Sequence, residues 1–109
     1  MSAVSRRQRI EAMLADDPRD QFLRYSLALE CEKESDNDRS LQLLQELMAE
    51  TPPMVAAFFM AAKQLTRLRR FPDARAVLRD GIELARQQGD RHAAAEMSDY
   101  LSRLGDLGE

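Results

Sequence analysis

The single histidine lies four residues before a carboxylate, so His92 and Glu96 share one face of a predicted helix. This spacing suits two ligands of one metal ion, but a structural zinc site needs four ligands. No other histidine or cysteine is near them in the sequence. The spacing is also typical of an exposed side-chain pair on a helix. We favour the exposed pair and expect no metal or other cofactor.

The single cysteine, Cys31, has no partner for a disulfide within the chain. It falls on the same helical stripe as Leu27, which predicts a buried, inert thiol and not a nucleophile. One histidine does not suffice for a convincing catalytic triad, and no two glycines lie close together before Gly105 and Gly108. We therefore expect no enzymatic activity.

Two charged clusters carry further alternatives. Arginines end the predicted fourth helix, where cations complement the helix dipole, although they could also contact a phosphate or an acidic peptide. Acidic side chains surround the end of the second helix without the glycine-turn spacing of a calcium loop, which predicts a solvated helix end. The clusters are Arg67, Arg69 and Arg70, and Glu30, Glu32, Glu34, Asp36 and Asp38.

The 109 residues predict one domain, with 32% charged and 44% hydrophobic residues. A net charge of −3 argues against a nucleic-acid partner. The longest apolar run, 54–62, is far shorter than the roughly 20 residues that span a bilayer. The N-terminus carries charges where a signal peptide needs an apolar core. We expect a cytoplasmic protein with no membrane partner.

The elements that position these residues are predicted to be helices throughout. Valine, isoleucine and threonine are scarce, and no segment shows the alternating pattern of a strand. Turn signals at Pro18, Ser35–Asp38, Pro52–Pro53, Pro72 and Gly89 divide the chain into six helices. We place these helices at about 3–16, 20–34, 38–50, 54–68, 72–88 and 90–104, joined by short connections that make consecutive helices antiparallel.

An internal repeat appears when the chain is shifted by 34 residues against itself. Apolar or small residues then coincide at nearly every position that a helix pair must bury. The coincident pairs are Leu27 with Ala61, Ala28 with Ala62, Cys31 with Leu65, Ser40 with Ala74, Leu43 with Val77 and Leu44 with Leu78, together with Pro18 and Pro52.

This pattern resembles the tetratricopeptide repeat (TPR) family, whose two-helix unit has the same length. The first unit matches the family motif at Leu27, Ala28, Leu44 and Pro52, but Arg24 stands where a large apolar residue is expected. The second unit matches at Phe58, Ala62, Leu65, Ala74 and Leu78 and lacks the closing proline.

The resemblance implies an all-α, right-handed α-solenoid of about six antiparallel helices in a single domain, 1–109. Its parts would be an N-terminal half-repeat helix (3–17), repeat one (18–51), repeat two (52–88), a C-terminal capping helix (89–105) and a tail (106–109). It also implies a protein-interaction module that uses the concave face of the first helices of its repeats.

The second helix carries an apolar stripe beyond the one that its packing requires, formed by Phe22, Tyr25 and Leu29. The equivalent face of the fourth helix carries Phe59, Met60, Lys63 and Arg67. One interpretation is an open groove with an apolar floor and a basic margin, and Tyr25 and Phe59 as the main anchors. In the other, the sixth helix folds over these aromatic side chains and buries them as core.

The partner that this groove would bind is an extended or helical protein segment with apolar and some acidic side chains. Some family members hold a C-terminal carboxylate through lysine, asparagine and arginine, but Tyr25 and Leu29 occupy corresponding positions here and disfavour that ligand. An alternative function is self-association into a homodimer through the terminal helices. The sequence does not name the partner.

Overall fold

The computed structural model describes residues 4–108, with side chains up to residue 105, and this part of the chain forms six α-helices without a strand. They are α1 (Arg6–Asp16), α2 (Gln21–Lys33), α3 (Asn37–Met48), α4 (Val55–Arg67), α5 (Phe71–Gln87) and α6 (Arg91–Gly108). The predicted all-α class is thereby confirmed. The predicted start of the first helix, at residue 3, lies outside the described residues.

The sequence places the end of the sixth helix before Gly105, which is wrong, because α6 continues to Gly108. Glycine inside a helix costs only about 1 kcal/mol relative to alanine, so it ends a helix only where the chain must also turn. Nothing within 4 Å would obstruct a Cβ atom at Gly105, and its backbone φ is not positive.

The chain divides into two compact units, Met1–Pro53 and Met54–Glu109, here called the first and the second unit. Within the first unit α2 packs against both α1 and α3, and within the second unit α5 packs against both α4 and α6. Each unit therefore has a central helix that is covered on two sides by its neighbours.

The 34-residue period is confirmed by the helix boundaries. A shift of 34 residues carries both ends of α2 onto the ends of α4 and the start of α3 onto the start of α5. The repeat also extends to burial, since the coincident positions are buried in both units. These positions are Leu27 and Ala61, Ala28 and Ala62, Cys31 and Leu65, Ser40 and Ala74, and Leu44 and Leu78.

Polar contacts supplement the apolar core of the first unit. The Ser40 hydroxyl, buried in α3, donates a hydrogen bond of 2.6 Å to the Ala28 carbonyl of α2. At the surface, Arg6 of α1 pairs with Glu30 of α2 at 3.0 Å. Arg7 pairs with Glu34 at 3.1 Å, and this hydrogen bond raises the pKa of Arg7 above its ordinary value. Exposed ion pairs are weak, so the buried apolar residues dominate the stability.

Three helices end in the same hydrogen-bonded turn, the Schellman motif. After α2, the N–H of Asp36 donates to the Cys31 carbonyl at 2.8 Å, and after α4 the N–H of Arg70 donates to Leu65 at 2.8 Å. The motif requires a left-handed residue, which is Gly89 after α5 but Ser35 and Arg69 after the other two helices, at φ 63° and 62°. A side chain with a Cβ atom is strained in that conformation.

We expect glycine to be more stabilising than alanine at Ser35 and at Arg69, by about 1 kcal/mol in the free energy of unfolding. Urea denaturation of the Ser35→Gly, Ser35→Ala, Arg69→Gly and Arg69→Ala variants measures the difference. Glu34, one residue earlier at φ −88°, provides the control, and there alanine is expected to be the better residue. Equal stability of the glycine and alanine variants at Ser35 and Arg69 contradicts this account.

Gly81 of α5 marks a close approach between helices of the second unit. A Cβ atom added there would lie 2.7 Å from Cβ of Phe58 in α4 and 2.8 Å from Sδ of Met97 in α6. The methionine sulfur can move, but the Phe58 Cβ atom is fixed by its backbone. The absence of a side chain at Gly81 therefore allows both neighbouring helices to pack closely against α5.

The Gly81→Ala variant is expected to be less stable by about 1–3 kcal/mol, because overpacking outweighs the gain in helix propensity. Thermal and urea denaturation provide the measurement. Gly105→Ala in α6 is the matched control, since a Cβ atom there meets nothing within 4 Å. That variant is expected to be as stable as the wild type or slightly more so. A Gly81→Ala protein that gains stability would refute the close approach.

Candidate partner-binding surfaces

The first candidate surface, here called the α2 face, consists of Phe22, Tyr25 and Leu29. Asp20 caps the helix by accepting a hydrogen bond of 2.9 Å from the N–H of Leu23, which fixes the first turn that carries Phe22. The Phe22 side chain is 71% exposed, and Tyr25 and Leu29 are half-buried. Burial raises the pKa of the Tyr25 hydroxyl, which therefore remains a neutral donor.

The remaining sides of α2 are required by the core of the first unit. Leu27, Ala28 and Cys31 are buried between the neighbouring helices. Their stripe is separate from the α2 face, as helical geometry requires for residues at these spacings. The α2 face thus offers an aromatic ring that does not serve the packing of its own unit.

The second candidate surface, here called the α4 face, consists of Phe59, Met60, Lys63 and Arg67. Phe59 and Tyr100 of α6 meet edge to face, with ring centroids 5.5 Å apart at 77°. The Lys63 ammonium group lies 4.0 Å from the centroid of the Phe59 ring. Phe59, Met60 and Lys63 are half-buried, whereas Arg67 is exposed. Helix α6 therefore covers Phe59 in part, through Tyr100.

The sequence did not indicate that Tyr100 and Arg103 of α6 belong beside the α4 face. They line a cavity of about 160 Å³ in the second unit, together with Thr66 and Leu104. The contact joins helices that are distant in sequence, so no local pattern reveals it. The available signal was the spacing of Tyr100 and Leu104, which are four residues apart and share one side of α6.

The other residues that the sequence singled out have contacts within their own units. His92 Nε2 lies 3.1 Å from a Glu96 oxygen in an exposed pair. Arg69 stacks over the Phe71 ring with 5.6 Å to the centroid, and an Arg70 nitrogen lies 2.9 Å from an Asp73 oxygen. Among the described residues no group of three or more histidine, cysteine, aspartate or glutamate side chains is arranged to hold a metal ion.

The comparisons with known proteins agree with this architecture. The chain is similar to a tetratricopeptide repeat domain protein from Salinibacter ruber whose structure was solved by solution NMR. The TM-score is 0.78 and the sequence identity 34%, over 83% of this chain and 91% of that chain. No protein-family model matches the chain. No curated protein matches it.

This chain belongs to the tetratricopeptide repeat family. The fold is in general that of a protein–protein interaction module and is typically a non-enzymatic scaffold. The predicted resemblance to this family is confirmed. Within the described residues, no helix combines the length and the apolar character needed to cross a membrane.

Cys31 is fully buried, and this burial raises the pKa of its thiol more than the nearby Arg7 lowers it. We expect a chromogenic aromatic disulfide to react with the native thiol at least about 100-fold more slowly than with the urea-unfolded chain, because reaction requires opening of the first unit. The raised pKa stabilises the fold below the thiol pKa of the unfolded chain, and the stabilisation is lost as pH rises through the folded value.

A Cys31→Ala variant controls for the thiol, and its stability is expected to fall less steeply between neutral and alkaline pH. Denaturation at both pH values measures the difference. Rapid labelling of the native thiol, without unfolding, would contradict its burial.

Proposed function

We propose that this chain is a non-enzymatic interaction module in which the α2 face and the α4 face each contact a peptide or helix of a partner protein. The exposure of Phe22 is the observation that carries the proposal. A phenylalanine that is 71% exposed loses a large apolar area to water, and nothing in the first unit's packing requires it there. Aromatic side chains of this kind are common anchors in protein interfaces.

The partner segment is proposed to carry apolar and acidic side chains. Phe22, Tyr25 and Leu29 supply apolar area on the α2 face. On the α4 face, Lys63 is held over the Phe59 ring, so its charge lies beside an aromatic surface. Arg67 adds a second cation to the same helix face. An apolar residue that contacts Phe59 would thus bring a neighbouring carboxylate close to cations.

A peptide phage-display selection against the full chain tests the proposal without knowledge of the natural partner. We expect selected peptides to combine an apolar residue with aspartate or glutamate, and to bind the Phe22→Ser variant at least about tenfold more weakly than the wild type. Lys63→Glu is expected to weaken the same peptides through charge repulsion. Fluorescence anisotropy of labelled peptides measures both effects.

Met13→Ser provides the matched control, because Met13 is also an exposed apolar residue of the first unit, at 49%, but lies on α1. This variant should bind the selected peptides as tightly as the wild type. Equal binding by all three variants would refute the proposed faces. If no peptide is selected and light scattering shows a mass that rises with concentration, self-association is the function, with the exposed Val4 and Met13 as its apolar contacts.

A further inference from the structure

The first unit contains a cavity of about 420 Å³ between α1, α2 and α3. This volume lies in the range of pockets that hold small molecules. Its apolar lining comes from all three helices, through Leu14, Leu27 and Leu43. The cavity is not part of the α2 face. Arg24 and Leu27, which line it, lie roughly 160° around α2 from the mean direction of Phe22, Tyr25 and Leu29.

Arg24 is the residue that distinguishes this cavity from an ordinary gap between helices. It stands where the repeat motif expects a large apolar side chain, and only 14% of its side chain is exposed. Its Nη2 atom donates to the Arg19 carbonyl at 3.2 Å and pairs with Glu50. Its Nε atom is buried, and no hydrogen-bond acceptor for it occurs among the described residues. A buried donor without an acceptor is unfavourable, and a carboxylate ligand would relieve this cost.

The charges that line the cavity narrow the class of ligand further. Arg39 supplies a second cation, with one nitrogen bonded to Gln42 at 3.1 Å. Glu11 and Glu46 supply two exposed carboxylates, and Glu11 also lies 3.6 Å from Arg7. The lining is therefore balanced in charge, and a simple anion would meet repulsion as well as attraction. A ligand with one positive and one negative end satisfies both kinds of group.

We propose that this cavity binds a small apolar zwitterion, either a free apolar amino acid or an apolar dipeptide. Its carboxylate accepts a hydrogen bond from Nε of Arg24, and its ammonium group pairs with Glu46. Its apolar side chains contact Leu14, Leu27 and Leu43. The site is separate from the α2 and α4 faces, so its occupation does not depend on the proposed partner binding.

The test is an NMR titration of the full ¹⁵N-labelled chain with L-leucine and with L-leucyl-L-leucine. Amide shifts are expected in residues 11–18, 24–27 and 39–46, and the ligand that binds more tightly identifies the amino acid or the dipeptide. The dipeptide with an amidated C-terminus and the dipeptide with an acetylated N-terminus each lack one charge. Each is expected to bind at least about tenfold more weakly than L-leucyl-L-leucine if both charges are recognised.

Two variants test the assigned residues. Arg24→Lys keeps a cation but removes the Nε donor, and Glu46→Gln changes an exposed side chain with little risk to the fold. Each is expected to weaken binding at least about tenfold, whereas Arg79→Gln, an exposed change on α5, leaves it unaltered. Thermal denaturation verifies that each variant is folded. Phe22→Ser is expected to bind the zwitterion normally, which separates this proposal from the proposed function.

Three outcomes would overturn the proposal. The first is the absence of amide shifts with either ligand up to about 10 mM, which is weaker than the affinity of a specific small-molecule site. The second is a set of shifts confined to the α2 or α4 face. The third is equal affinity of the charged and the capped dipeptides, which would mean that neither Arg24 nor Glu46 recognises the ligand.

Discussion

The close approach of two helix backbones at small residues is the constraint on which the rest of the structure depends. In the first unit Ala28 has no exposed surface, and its carbonyl accepts the hydrogen bond of the Ser40 hydroxyl. The second unit places Ala62 and Ala74 at the same repeat positions. Helices of 11 to 13 residues, such as α1 to α4, are marginal in isolation, so their stability depends on this tight packing.

The turns between the packed helices set the direction in which each chain returns. The Schellman motif recurs after α2 and α4 at positions 34 residues apart, with Ser35 and Arg69 in the left-handed conformation. Neither residue favours that conformation by itself. The packing of the helices on either side therefore imposes it, because the buried contacts are worth more than the local strain. The repeat is preserved in backbone geometry even where the turn residues differ.

Departures from the repeat pattern coincide with the surfaces that carry the functional proposals. Arg24 replaces an apolar residue and lines a cavity with a buried donor. Phe22 adds an aromatic ring that its own unit leaves exposed. The rest of α2 obeys the packing rules of the repeat. A two-helix scaffold can accept such substitutions because burial at Leu27, Ala28 and Cys31 already holds the helix in place.

The sequence by itself determined the helical class, the number of helices and the period of 34, because helix propensity, turn residues and apolar spacing are local signals. It also indicated that Leu27, Ala28 and Cys31 would be buried. Only the tertiary structure placed Tyr100 against Phe59 and surrounded Nε of Arg24 without an acceptor. Those contacts join residues from different helices, and their geometry follows from helix packing, which no local spacing in the sequence encodes.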